Sequence, residues 1–379
     1  MTEQLIKLPT EDEGFIALWK VSSEQSSDER NVLLTHGTFS NKKVLNGISQ
    51  YLTEYGFTCW ILEWRNHGHS SQASGFDFET IGKVDLKIAL EYLINQQKVH
   101  KIDCITHSGG GICLTITLIH YPEFQSKIVS ICFFACQAFG ASTSLFRHYQ
   151  ILLGKYASKL VGFSPAKMIG GVENEPYSLM KQWFDWNLIQ KFKGNNGHDF
   201  LKAMKYIKVP ALSIYGEGDK FIAPAEGCER FLAGFINRKN QTLSCGKSSG
   251  YAENYSHSRI IQSQNAKKEI YPKVLDWINQ EHRMLTPTMI ADYKELRGLK
   301  HAYQEGGDLE DILNRLISIA KRSFTDNSAY TDSLMDLKDK VNLLAKTYRE
   351  GKIETQAYGP KWDEIVRDTL MVIDQMERD

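Results

Sequence analysis

The chain has 379 residues, 42% of them apolar and 24% charged, which is enough for one large core plus a smaller module and too apolar for a mostly disordered polymer. Lysine plus arginine and aspartate plus glutamate both number 45, so no global field points to nucleic acid or to an anionic membrane. Seven cysteines in mostly apolar segments suit reduced core thiols better than a disulfide framework.

The first 14 residues are polar and acidic and lack the basic start and apolar run of a secretory signal, which points to a cytoplasmic protein. No run of about 18 apolar residues occurs, so no transmembrane segment is expected. Residues 3–8 and 14–22 are short β-like runs on either side of Glu11-Asp12-Glu13-Gly14 and predict a hairpin. Residues 31–35, 58–63, 101–106 and 128–136 then read as strands separated by helix-like stretches, the pattern of a parallel sheet with helices on both faces. Within 78–97, Ile81, Val84, Ile88 and Tyr92 form one apolar stripe and Leu86, Leu90 and Leu93 a second, which predicts a well-buried helix.

From 139 to 207 the alternation stops and an irregular insertion rich in aromatics appears, among them Phe146, Tyr149, Tyr156, Phe163, Tyr177, Trp183, Phe184, Trp186 and Phe192. The sheet resumes with strands at 210–215 and 241–245, and a helical region at 258–281 closes the domain, with Pro272 starting its last helix. A joint at Leu285-Thr286-Pro287-Thr288 separates a first domain, 1–284, from an all-helical module, 285–379. That module holds 14 basic and 18 acidic residues. Its stripes are Leu309, Ile312, Leu313, Leu316, Ile319 and Ala320; Tyr330, Leu334, Leu337, Val341, Leu344 and Tyr348; and Trp362, Ile365, Thr369, Ile373 and Met376. The second has the spacing of a coiled-coil seam, so the module suits either a pad on its own first domain or a homo-oligomer arm.

Chemistry concentrates at Asp103-Cys104-Ile105-Thr106-His107-Ser108-Gly109-Gly110-Gly111, where a strand runs through a glycine-rich turn into a helix. Such a turn lifts a serine above the sheet edge, and the glycines make room for the neighbouring strand and helix. Thr106 stands where the Gly-x-Ser-x-Gly pattern has its first glycine, so the packing behind the turn must differ. Upstream, His36-Gly37-Thr38-Phe39 follows a strand and can present backbone N–H groups to the serine; Thr38 and Gly109 are the oxyanion-hole candidates. Downstream, Tyr215-Gly216-Glu217-Gly218-Asp219 places a carboxylate at a strand end, with Asp219 preferred over Glu217, and His257 lies after the last strand. Nucleophile Ser108, acid Asp219 and base His257 thus occur in the chain order of a hydrolase triad. His67 and His69 lack a nearby carboxylate or thiol cluster in sequence, Cys132 and Cys136 share a strand face as core residues, and the glycines lack a phosphate-loop lysine. No metal and no cofactor are expected.

Residues 30–281 resemble the α/β-hydrolase superfamily, in the company of monoacylglycerol lipase and serine aminopeptidase-like bacterial hydrolases. The resemblance rests on His36-Gly37, Arg65-Asn66-His67-Gly68-His69-Ser70, the Ser108 turn, 216–219 and His257. Asn66 replaces a glycine in the family's Arg-Gly-His-Gly-x-Ser turn. Glu173-Asn174-Glu175-Pro176 with Trp183-Phe184-Asp185-Trp186 is similar to caps of bacterial hydrolases. The resemblance implies an α/β-hydrolase fold with a mostly parallel sheet and a helical cap at 139–207, a small ester or acyl substrate, and Ser108 chemistry. Phe39, His107, Trp183 and Trp186 are the substrate-contact candidates. Acyl transfer, thioester cleavage and a non-catalytic binding role stand as alternatives, and residues 285–379 lie outside the resemblance.

Overall fold

The computed structural model describes residues 1–24, 26, 27, 29–166, 170–281, 295, 309–323, 328–352 and 355–376. The chain divides into two compact units, Met1–His282 and Arg283–Asp379. The expected joint at 285–288 lies outside the described residues.

Strands β1 (Thr2–Pro9) and β2 (Phe15–Ser22) form an antiparallel hairpin with Ile6 opposite Leu18. Next in the chain are β3 (Asn31–Thr35), β4 (Thr58–Glu63), β5 (Ile102–His107) and β6 (Ile128–Phe134), then a two-stranded ribbon of β7 (Phe163–Ser164) and β8 (Glu175–Pro176), and finally β9 (Ala211–Gly216) and β10 (Gln241–Cys245). The main sheet has the order β1-β2-β4-β3-β5-β6-β9-β10, parallel from β4 to β10. Every residue of β3, β4 and β5 is buried, which is why these strands read as unbroken apolar runs rather than as alternation. Even polar Asp103 is accommodated in β5, accepting a 2.6 Å bond from the Ser130 hydroxyl of β6.

Side-chain alternation sends Leu33, Trp60, Cys104 and Phe133 to one face and Val32, Leu34, Cys59, Ile105 and Cys132 to the other, so each face has its own core. Cys136 does not share a face with Cys132. The chain leaves β6 through Ala135 at φ 48°, and Cys136 enters the first core while Cys132 belongs to the second. All seven cysteines are buried and free.

Helices α1 (Asn46–Glu54), α2 (78–96), α3 (Gly109–His120), α4 (Leu145–Val161), α5 (Tyr177–Ile189), α6 (Ala225–Leu232) and α7 (Tyr271–Glu281) complete the first unit, with shorter turns between them. Two π-type turns, Ile81–Asp85 and Tyr92–Gln96, shift the faces of α2. Its second predicted stripe is therefore the fully buried one, while Ile88 and Tyr92 of the first are half-buried. The Thr117 hydroxyl of α3 donates to Gly82 C=O at 2.7 Å within the first π turn. Among the described residues no helix is long and apolar enough to cross a membrane.

In the second unit, α8 (Leu309–Ser323), α9 (Ser328–Arg349) and α10 (Thr355–Met376) turn their three stripes into one core containing Leu313, Leu316, Leu334, Leu337, Val341, Ile365 and Ile373. The seam on α9, described as far as Leu344, is occupied inside its own unit. Leu334→Ala is expected to lower this unit's stability by about 2–5 kcal/mol, read as a lower urea midpoint in far-UV circular dichroism. Leu343→Ala, at a side chain 63% exposed, should move the midpoint by less than about 0.5 kcal/mol equivalent.

Candidate active site

Because β5 ends at His107 and α3 begins at Gly109, Ser108 alone makes the turn between them, with φ 52° and ψ −122°. A side-chain-bearing residue in this region is strained. Neighbouring contacts hold it there: Ser108 N–H donates to Phe134 C=O at 2.8 Å, and Ser108 C=O accepts from Gly111 N–H at 3.0 Å. Space for the turn comes from glycines. A Cβ on Gly37 would lie 2.6 Å from Ser108 Cβ, and one on Gly110 would lie 2.6 Å from His36 C=O. Thr106 is accommodated by Gly111, where a Cβ would lie 2.9 Å from Thr106 Oγ1 and 2.5 Å from Cys136 Sγ. The glycine missing before the serine is compensated one turn into the helix.

His257 lies between β10 and the short helix Arg259–Gln262. Its Nε2 is 2.9 Å from Ser108 Oγ and its Nδ1 is 2.6 Å from Asp219 Oδ2. Asp219 follows β9, and its Oδ1 accepts from Ile222 N–H at 3.0 Å. Burial opposes ionisation of Asp219, but the hydrogen bond and charge of His257 and the N–H groups of Ala223 and Ile222 outweigh it and hold the carboxyl below 3.8. An ionised carboxylate accepts only, so His257 Nδ1 carries the proton and its Nε2 lone pair faces the serine hydroxyl. Glu217 is half-buried and turned away, accepting from the hydroxyls of Ser248 and Ser249.

Ser108 and His257 line a cavity of about 380 Å³ walled by Phe39, Ile112, Ile151, Met180, Trp183 and Phe184. Thr38 and Gly109 also line it, and among the described residues neither backbone N–H is bonded within the protein. Two expected contact residues stand elsewhere. Trp186 packs 5.4 Å from Phe78 and donates Nε1–H to Lys193 C=O at 2.6 Å, because it lies on the face of α5 turned into the first core. His107 turns beneath His257 and donates Nε2–H to its C=O at 3.0 Å. Burial and the neighbouring His257 push His107 down to about 3, so it stays neutral.

Sequence reasoning missed a clamp between the 139–207 insertion and the loop after β3. Glu175 of β8 is fully buried and accepts from Phe39 N–H at 2.5 Å and from His67 Nε2 at 3.0 Å. Phe39 C=O accepts from Val172 N–H at 2.8 Å, and Glu173 Oε1 accepts from Asn41 at 2.7 Å and Gly68 N–H at 3.2 Å. Phe39, next to Thr38, is thus held at φ 61° from both its N–H and its C=O. Burial opposes the charge on His67, but Glu175 outweighs it and lifts His67 to about 9. The available signal was a doubly acidic motif in an aromatic-rich insertion. The turn that carries His67 is held by Arg65 on buried Asp85 at 2.7 Å, and Asn66 and Gly68 both have positive φ, at 64° and 51°. His69 contacts Glu63 at 3.2 Å. Among the described residues no group of three or more His, Cys, Asp or Glu side chains is arranged to hold a metal ion.

The eight-stranded, mostly parallel sheet with helices on both faces is the α/β-hydrolase fold. Residues 26–247 match the family described as serine aminopeptidase, S33, and the chain belongs to that family. An esterase from Thermogutta terrifontis superposes with a TM-score of 0.52 at 13% identity, over 74% of this chain and 99% of the esterase. The monoacylglycerol lipase of Paleococcus ferrophilus gives 0.51 at 16%, over 70% of this chain and 99% of the lipase. A probable alcohol acetyltransferase of Wickerhamomyces anomalus is 27% identical over 104 residues. That stretch is 27% of this chain and 29% of the relative, so the chain spans under a third of that protein's length.

The clamp has a pH signature. His67 is raised in the folded state from 6.5 to about 9, so its stabilisation is complete below about pH 6.5 and is lost as pH rises through about 9. The melting temperature of wild type is expected to fall across that interval, by the equivalent of up to about 3 kcal/mol. In His67→Gln this part of the pH dependence should vanish, which differential scanning calorimetry at matched ionic strength checks.

Proposed function

We propose that the protein hydrolyses esters of an apolar acyl group through a Ser108 acyl-enzyme. The observation that carries this reading is the hydrogen-bonded series Ser108–His257–Asp219 at the end of an apolar cavity. Ser108 Oγ attacks the ester carbonyl while its proton passes to His257 Nε2, and Asp219 stabilises the imidazolium. Thr38 N–H and Gly109 N–H meet the oxyanion, a contribution of roughly 10²–10³ in rate per donor. Collapse of the tetrahedral intermediate breaks the ester C–O bond, and the proton on His257 goes to the departing alkoxide. Water then attacks the acyl-enzyme with His257 again as base, releasing the acid and restoring Ser108.

An amino-terminal peptide is a poorer fit than an ester. Among the described residues lining the cavity there is no Asp or Glu to hold a free ammonium, and the walls are mostly aliphatic and aromatic. A second reading, transfer of the acyl group to an alcohol, is favoured by the partial similarity to the probable alcohol acetyltransferase.

Intact mass after exposure to a fluorophosphonate is the test. Wild type is expected to gain one adduct, Ser108→Ala none, and Asp219→Asn should gain it far more slowly. Turnover of medium-chain p-nitrophenyl esters should fall by about 10⁴-fold or more in Ser108→Ala and by about 10⁴ in Asp219→Asn. Folded wild type that gains no adduct would sink the acyl-enzyme. Labelled protein that forms alkyl ester instead of free acid when ethanol is present would assign acyl transfer.

A further inference from the structure

Helix α4 of the cap has apolar residues on two faces. The inner face, with Ile151, Gly154 and Ser158, lines the cavity. On the outer face Leu145, Phe146, Tyr149, Leu153, Tyr156 and Leu160 are 57–89% exposed, at spacings of one, three and four residues that stack them along one side of the helix. Elsewhere in the first unit the exposed large apolar side chains are mostly scattered singly, which is ordinary for a protein surface; a continuous stripe is not.

The charge around this stripe is one-sided. The chain as a whole balances 45 basic against 45 acidic residues, yet α4 carries Lys155 and Lys159 and no Asp or Glu, while Arg147 lies on its inner side with the guanidinium 4.8 Å over the cavity-lining Phe221 ring. Asp185 of α5 answers Lys155 at 2.5 Å, while Lys159 stands exposed beside Leu160. At the C-terminal end of α4, Val161 and Phe163 are both exposed and part of the cavity wall, so the stripe runs to the rim of the cavity.

We propose that the outer face of α4 docks on an anionic lipid surface and brings the cavity rim to the place where apolar substrates partition. Apolar side chains enter the headgroup boundary while the flanking Lys159 meets lipid phosphate. A second copy of this chain fits less well. A symmetric pairing of this face would crowd the exposed Lys159 of both copies along one seam, with no acidic residue on the helix to neutralise them. The proposal is independent of the chemistry at Ser108, because docking is read without turnover.

The test is co-sedimentation of the full chain with vesicles of phosphatidylglycerol and of phosphatidylcholine, using wild type, Ser108→Ala, and a Leu153→Glu/Leu160→Glu double variant. Neither leucine lines the cavity, so a soluble short-chain ester should be turned over at the wild-type rate by the double variant. Wild type and Ser108→Ala are expected to bind phosphatidylglycerol vesicles in preference to phosphatidylcholine, and more weakly as salt rises. The double variant should bind about tenfold more weakly or worse. Wild type that binds neither vesicle at low salt, or a double variant that binds as wild type does, overturns the proposal. Light scattering supplies the remaining arm: a wild-type dimer that the double variant disperses, without vesicle binding, assigns the face to a second copy and also overturns it.

Discussion

The backbone of Ser108 is the constraint from which the site follows. A parallel sheet brings the ends of β3, β5, β9 and β10 to one edge, but that alone yields four loops and no chemistry. One residue at φ 52° between β5 and α3 lifts the hydroxyl off the sheet edge and directs the start of α3 at the space above it. The strain is tolerated because backbone from β3 and β6 closes around the turn, at distances that leave no room for a side chain on Gly37 or Gly110. Loops after β9 and β10 then need only reach that point to set Asp219 and His257 in line with the serine.

The second dependence runs from the 139–207 insertion to the loop after β3. Phe39 is held by a carboxylate 136 residues away in sequence, and that carboxylate is also the partner of His67 in the Arg65–Ser70 turn. Glu175 therefore fastens three separate segments with one side chain. A buried charge in such a position is costly unless paired, and its pairing makes the insertion's placement and the geometry next to Thr38 a single structural problem. Below the site, His107 does something similar for His257, gripping its carbonyl while remaining uncharged.

Much of this was legible in the sequence wherever the signal was local. Strands buried on both faces announce themselves as apolar runs, and a serine, an acid and a histidine after three of the strands define an order that the fold brings together. Asn66 could be read in the place of a glycine, and the structure supplies the reason, since asparagine is among the few side chains that tolerate left-handed backbone. What the sequence did not disclose depends on direction or distance. His107 and Ser108 are adjacent, yet the turn sends one under the histidine and the other into the cavity. Cys132 and Cys136 look like neighbours on a strand until Ala135 reverses the chain's handedness. Glu175 is invisible as a clamp because both of its partners lie more than 100 residues upstream.

The aromatic residues of the insertion show why composition alone could not assign them. Trp183 and Phe184 line the cavity, Trp186 and Phe192 are buried in the first core, and Phe146, Tyr149 and Tyr156 face outward. One residue class thus has three destinations, and the two apolar faces of α4 blur the periodicity that ordinarily separates inside from outside. Only the placement of α4 across the cavity distinguishes them. The inner face answers to the substrate and the interior to packing, which leaves the outer stripe without an intramolecular reason in the first unit for its hydrophobicity. A helix that had only to cover a cavity would carry polar side chains there.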